Sequence, residues 1–312
     1  MPRSCSILLA ALFAVSTFTS VRAQTSGISI PVWIEADHCE TGPKFAVTLN
    51  GKPAPITAQW GPNSDQIILL VLDLTSSLSL IDPAKQALVS QTSKLPRNTW
   101  VGLLRAQDGL HVLTDPGVNR KPAISAIQSL SNSGEPGLLE TVTSALSLAD
   151  AILRKTPVRV SVLYVTDGSI YSYREDYTNP VINPSDPHDL SRRFPEALIE
   201  DKISRLVKTA SSLQAPLFVV QLNYRPDPLN EAYQNGLETL ARATGGESDI
   251  CQSLAQIPDV ISEMFARISG TWRLNLALPA RVRHDIQIHL RAPCRKGDPR
   301  ISWRKHFLLN ES

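Results

Sequence analysis

The sequence predicts an α/β protein built on a doubly wound, mostly parallel sheet, with small β elements flanking it. Three observations carry that expectation. Two apolar runs, residues 67–72 and 160–165, are each followed closely by an aspartate, Asp73 and Asp167. Runs of this kind suit central strands covered on both faces. Around them, strand-like and helix-like segments alternate over about 200 residues, the pattern of a parallel sheet with helices on both sides. The C-terminal end of the chain instead alternates apolar with polar residues, as half-exposed antiparallel strands do.

The elements follow in order. Arg3 precedes an apolar stretch, residues 7–15, which thins into Ser and Thr and ends at Val21-Arg22-Ala23. That is the layout of a secretory signal peptide, so residues 1–23 are set aside from the fold. Residues 27–34, 45–49 and 52–56 read as short strands, the last two joined by the hairpin signal Asn50-Gly51. So small a β unit cannot hold a core alone and is expected to pack on the main domain, with the C-terminal strands as candidate partners. After the strand at 67–72 comes a helix over 82–93. Strands at 100–104 and 110–113 flank Asp108-Gly109, a second hairpin turn. Helices are expected at 124–130 and 138–153, then a strand at 158–165. A long polar segment, 169–194, should overhang the carboxyl end of the sheet. A helix at 195–213, a strand at 216–222, a helix at 229–244 stopped by Gly245-Gly246, and a helix at 253–268 complete the alternation. Strands at 272–278, 285–290 and 301–303 close the chain.

Composition narrows the function. With 312 residues, 42% of them hydrophobic and 19% charged, the chain has room for one large core and a smaller appended unit. Removing residues 1–23 takes away Arg3 and Arg22 and no acid, so 31 bases against 29 acids become 29 against 29. A neutral mature chain gives no whole-molecule reason to bind nucleic acid or an anionic membrane. Cys39, Cys251 and Cys294 remain after Cys5 leaves with the signal. An odd number permits one disulfide and one free thiol. Spacing leaves the pairing open, with Cys251–Cys294 favoured because both lie in the C-terminal third. The histidines at 38, 111, 188, 284, 289 and 306 lack acid or thiol partners at useful spacing, and His284 and His289 should face opposite sides of one strand. There is no zinc spacing, nucleophile elbow, phosphate loop or dinucleotide fingerprint.

Asp73-x-Thr75-x-Ser77 and Thr166-Asp167-Gly168 therefore hold most of the chemical information. In an open α/β sheet, ligands bind outside the carboxyl ends of the strands. Carboxylates and hydroxyls are hard oxygen donors that suit Mg²⁺. The same residues also make ordinary caps and turns: Asp73 and Ser77 could cap the following helix, and Thr166-Asp167-Gly168 could be a strand-end turn.

These motifs and the order of elements resemble the von Willebrand factor type A domain, over roughly residues 65–270. More narrowly they resemble bacterial exported proteins that carry such a domain between a short β unit and a C-terminal β extension. The resemblance implies a division into residues 1–23 (signal), 24–64 (β unit), 65–270 (main domain) and 271–312 (β extension). It also implies a metal-ion-dependent adhesion site, in which Asp73, Thr75, Ser77 and Asp167 hold Mg²⁺ (or Mn²⁺ or Ca²⁺) that an acidic side chain of a protein partner completes. The family's distant Thr would fall in the segment 133–139, where this chain has Pro136. Glu135 is the possible substitute ligand.

Two further features invite partners. Residues 273–305 carry nine Arg or Lys against Asp285 and Asp298, either an anionic-partner surface or a solvated face with charged strand edges. In the polar segment, Tyr171, Tyr173 and Tyr177 with Asp176, Asp186 and Asp189 could form a binding rim. The reading that follows is a non-enzymatic, exported interaction module, secreted or held in the periplasm or cell envelope. The alternative is a structural or assembly component of the envelope whose site is vestigial and metal-free. A hydrolase built from dispersed residues has no motif behind it.

Overall fold

The computed structural model describes residues 27–35, 43–75, 77–172, 195–279, 284–293 and 300–309. The proposed signal peptide, Cys39, Cys294 and the tyrosines and acids proposed between residues 173 and 189 lie outside them.

The central strand β5 (Gln66–Asp73) is buried at all eight positions. Its neighbours are β6 (Thr99–Arg105), β7 (His111–Gly117), β8 (Arg159–Thr166), β9 (Leu217–Gln221) and β10 (Ser248–Ile250), in the order β10-β9-β8-β5-β6-β7. Every pairing is parallel except β6 with β7. The chain therefore winds outward from β5 in one direction, returns, and winds outward from β8 in the other. This is a doubly wound sheet with an antiparallel edge.

The period-two geometry of β5 divides its side chains between two layers. Ile67, Leu69 and Val71 pack with α3 (Leu138–Lys155), α4 (Pro195–Ala210) and α5 (Pro228–Thr244). Ile68, Leu70 and Leu72 pack with α1 (Leu78–Lys94), α2 (Lys121–Ser129) and α6 (Ile257–Gly270). Both hairpin turns form, with positive φ at Asn50, Gly51, Asp108 and Gly109. Helix α1 starts four residues earlier than the sequence suggests and contains Pro83. The bond Pro83 cannot make falls on the exposed helix start, where the loss is small. Strand β10, unrecognised in the sequence, is only three residues long and half-buried.

The strands at the two ends interleave. β1 (Gly27–Ile34) lies between β11 (Thr271–Ala277) and β13 (Ile301–Trp303), with β4 (Ile56–Trp60) beyond β11. A second sheet contains β14 (His306–Leu308), β12 (Asp285–Arg291), β2 (Ala46–Leu49) and β3 (Lys52–Pro53). Both sheets feed one core, including Ile30, Val32, Val47, Leu274, Ile288 and Phe307. Strand β12 alternates exposed and buried positions over its whole length. The result is a sandwich made of residues far apart in the chain.

Three buried arginines join this sandwich to the amino end of the parallel sheet. Arg159, at the start of β8, donates to the carbonyls of Ser269 and Thr271 at 2.9 Å and of Pro62 and Ser64 at 2.7 and 3.1 Å. Arg273 on β11 donates to Ser29 Oγ at 2.9 Å and to the carbonyls of Leu153, Thr156 and Val158. Arg304 donates to the carbonyls of Ser211, Leu213 and His306. Burial lowers their pKa values to about 10, 10 and 9 respectively. This corrects both readings of the basic tail at two positions: Arg273 and Arg304 are neither a partner surface nor solvated edge charges. Gly245 permits the same close approach. It ends α5 with φ +83°, and a Cβ there would meet Pro31 Cγ at 2.6 Å and Arg304 Cβ at 2.9 Å.

The favoured Cys251–Cys294 disulfide is also corrected. Cys251 is a free thiol in the core beneath α6, and burial pushes its pKa up to about 12. Replacing Arg273 with Leu leaves three carbonyls without their donor. Urea denaturation is expected to show a loss of about 3 kcal/mol that Arg273→Lys does not restore, because an ammonium cannot span all three.

Candidate functional site

The carboxyl end of the sheet gathers the residues that the sequence singled out. Asp73 ends β5, and Asp167 follows β8, its neighbour in the sheet. The Asp167 N–H donates to the Asp73 carbonyl at 3.2 Å, which carries the ladder one step past the strands. Both aspartates are buried, at 0% and 1% exposure, so their carboxylates are held away from bulk water.

Asp73 is almost fully engaged. Its Oδ1 accepts from Gly137 N at 3.0 Å. Its Oδ2 accepts from Leu138 N at 3.2 Å and from Thr166 Oγ1 at 3.1 Å. The first two donors are free amides at the start of α3, where a helix has no internal partners for them. Asp73 thus caps a helix, but not the one that follows it in the chain. Ser77 does stand at the start of α1, yet its hydroxyl makes no capping bond and meets Ser79 Oγ at 2.7 Å instead. The simple capping expectation for Asp73 and Ser77 is corrected accordingly.

Asp167 Oδ1 accepts from Thr75 N at 2.9 Å and from Thr75 Oγ1 at 3.4 Å. Thr166 Oγ1 also accepts from Gly168 N at 3.0 Å, a local turn of the kind Thr makes at strand ends. The segment bearing Pro136 is anchored from the other side. Asp108 N donates to the Glu135 carbonyl, and Asp108 Oδ1 accepts from Glu135 N at 2.9 Å. Glu135 is exposed, outside the buried carboxylate pair.

The electrostatics follow from this enclosure. Burial raises the Asp73 carboxyl from 3.8 to about 7, and the neighbouring Asp167 charge adds to the rise. The donors from Gly137, Thr166 and Leu138 pull it back only in part. Tyr164 on β8, buried and hydrogen-bonded to Thr141, is held well above its ordinary value, first by burial and then by the Asp73 charge.

By donor type the residues fit a hard cation, since Asp73, Thr75, Ser77 and Asp167 offer only oxygens. The crowded carboxylate pair is a charge arrangement that a cation would relieve. By number they fall short of a six-oxygen shell. Asp73 already accepts three donors, Asp167 Oδ1 accepts two from Thr75, and Pro136 contributes none. Among the described residues no group of three or more His, Cys, Asp and Glu is placed to hold a metal. His289 is exposed on β12, and His284 lies just outside that strand rather than on its other face.

Some site residues were missed from sequence. Gly137 was one, and its signal was weak: a Pro-Gly pair ahead of an amphipathic helix. A Cβ at Gly137 would lie 1.9 Å from the Ala106 carbonyl oxygen, so the amide that reaches Asp73 requires glycine there. The start of the polar segment is pinned to α5. Ile170 N donates to Asn230 Oδ1 at 3.0 Å, and Tyr171 Oη donates to Asp227 Oδ1 at 2.8 Å. Tyr171 is exposed, as a rim residue would be.

No family model and no curated protein matches the sequence. Solved structures do. A von Willebrand factor type A protein from Catenulispora acidiphila is 12% identical with a TM-score of 0.46, covering 90% of this chain and 76% of its own. The ArnB paralog VWA2 from Sulfolobus acidocaldarius is 9% identical with a TM-score of 0.43, covering 91% and 76%. An aerotolerance-related membrane protein from Bacteroides fragilis is 14% identical with a TM-score of 0.39, covering 65% and 99%. The likeness to these structures concerns the fold alone, and the doubly wound α/β architecture stands on the strand order and helix layers of this chain. Among the described residues no helix is long and apolar enough to cross a membrane.

Two outcomes test the site. Gly137→Ala should lower stability by about 2 kcal/mol or more, since backbone must move to admit the methyl group. The Asp73 carboxyl binds its proton more tightly folded than unfolded, so stability falls as pH rises from about 4 to about 7. In chelator, urea midpoints should drop between pH 5.5 and pH 8, by no more than about 1.4 kcal/mol per unit. Asp73→Asn should lack that component of the slope.

Proposed function

We propose that this protein is a non-enzymatic, exported interaction module whose protein partner docks at the carboxyl end of the parallel sheet. The single observation behind this is the convergence of Asp73 and Asp167 at one rim, buried and close enough to raise the Asp73 pKa. In this reading Asp167, Thr75 and Ser77 supply oxygens to Mg²⁺ beside the Asp73 charge, and an acidic side chain of the partner completes the shell. The site is a partly degenerate adhesion-type site, with Pro136 where a hydroxyl would stand. The sequence at residues 1–23 supports placement in the periplasm, in the cell envelope or outside the cell.

One observation favours a second reading. The Asp73 carboxylate is spent on Gly137, Leu138 and Thr166, which is what a purely structural keystone would do. The protein would then be an assembly component of the envelope that binds without metal.

Calorimetric titration of the mature chain with MgCl₂ and MnCl₂ separates the two. Heat for the wild type that disappears in Asp167→Asn supports the cation site. No heat for the wild type removes it, and partner capture from an envelope extract should then be indifferent to EDTA.

A further inference from the structure

A second concave surface lies away from the carboxyl rim, where two sheet edges face each other. β10 is the outer strand of the parallel sheet, and β13 is the outer strand of one sandwich sheet. Between them opens a cleft of about 670 Å³. Trp33, Arg267 and Arg300 form its shared wall with a larger cavity of about 1000 Å³.

The cleft carries an unbalanced charge. Four cations line it, from Arg242, Arg267, Arg300 and Lys305, against two acids, Glu238 and Glu247. Arg242 is paired with Glu238, and Arg267 with Glu247 at 2.5 Å. Arg267 also stacks 3.8 Å above the Trp33 ring, which fixes that wall. Arg300 and Lys305 are exposed, and among the described residues neither meets a carboxylate. Lys305 instead lies 6.0 Å from the Trp303 ring. Two positive charges thus remain for a ligand.

The cleft also offers unused main-chain groups. Glu35 N donates to the Arg300 carbonyl at 3.0 Å, which makes these two a hydrogen-bonded pair of the antiparallel β1–β13 ladder. Alternation along such a ladder turns the N–H and C=O groups of Ile301 and Trp303 away from β1. Among the described residues strand β13 has no other neighbour in its sheet. In the opposite wall, Ser248 Oγ is buried and has no hydrogen-bond partner among the described residues.

We infer that this cleft receives an extended acidic peptide segment of a protein partner, laid along β13 as an added strand, with its carboxylates on Arg300 and Lys305. The free main-chain edge selects a peptide over other polyanions, because strand addition uses backbone bonds that a polysaccharide lacks. The uncompensated cations select acidic side chains. Trp33 lines the same cleft, a residue type that interfaces favour. This surface is independent of the carboxyl rim and of any cation there.

The test uses the mature protein and a blocked hexapeptide of alternating Glu and Val, followed by tryptophan fluorescence and calorimetry at low salt. The acidic peptide should bind, weaken with added salt, and lose at least tenfold in affinity to the double variant Arg300→Glu/Lys305→Glu. Both positions are exposed, and an unchanged melting temperature would show that the variant keeps its fold. The same peptide with N-methylated backbone amides should also lose at least tenfold. A Lys–Val peptide should not bind. Absence of binding up to millimolar peptide overturns the inference. So does equal affinity in the double variant, or undiminished binding of the N-methylated peptide. Oligogalacturonate that binds more tightly than the peptide, through the same two residues, would assign the cleft to acidic polysaccharide instead.

Discussion

The architecture depends on guanidinium groups bonded to main-chain carbonyls. Arg159, Arg273 and Arg304 each reach across from one module to another and accept burial to do so. A guanidinium suits this task because its five donors lie in a rigid plane and can satisfy several carbonyls at once. The carbonyls belong to loops at the amino end of the parallel sheet, where β8 and β9 begin and α3, α4 and α6 end. Such carbonyls would otherwise have lost water without gaining a partner. The sandwich is therefore fastened by polar bonds at a place where apolar contact alone would leave backbone groups unsatisfied. That fastening occupies the amino end, opposite the carboxyl end where Asp73 and Asp167 meet.

The carboxyl end solves a different problem with the same economy of groups. Asp73 is deep, charged and close to a second acid, an arrangement that disfavours ionisation. Its compensation comes from backbone N–H groups at the start of α3, which lie near because Gly137 has no side chain. Position in the sheet, helix entry and carboxylate are thus mutually dependent. A residue that reads as a ligand is also what ties the longest helix of the parallel layer to its central strand. Burial, and after it the neighbouring Asp167 charge, holds the Asp73 pKa at about 7 against the pull of these donors.

Much of the main domain was legible in the sequence, because buried strands and amphipathic helices write their periods directly into it. Residues 67–72 and the stretch from Leu138 to Leu153 are clear cases. Legibility failed where the signal is short or non-local. β10 and β14 have three residues each, too few to show a period. The start of α1 was obscured by Pro83, whose cost depends on how exposed that turn is. Arg273 and Arg304 looked like surface charge, since burial of a cation is decided by carbonyls 91 to 120 residues away in the chain. The convergence of Asp73 with Asp167 could be anticipated from strand ends. That Asp73 would cap α3 could not, because the donors are backbone groups without a residue signature.

The placement of β1 between β11 and β13 has a bearing on how the molecule is made. Arg273 and Ser29, bonded across that junction, are 244 residues apart. During synthesis the first strand emerges long before either of its neighbours exists. The doubly wound sheet can assemble from contiguous sequence in the meantime, whereas the sandwich must wait for the last forty or so residues, on the logic that distant pairings form late. Until then an apolar strand with both edges bare has to be kept from pairing with other chains. In this order of events the last strands to pair are the clasp that ends the aggregation-prone interval.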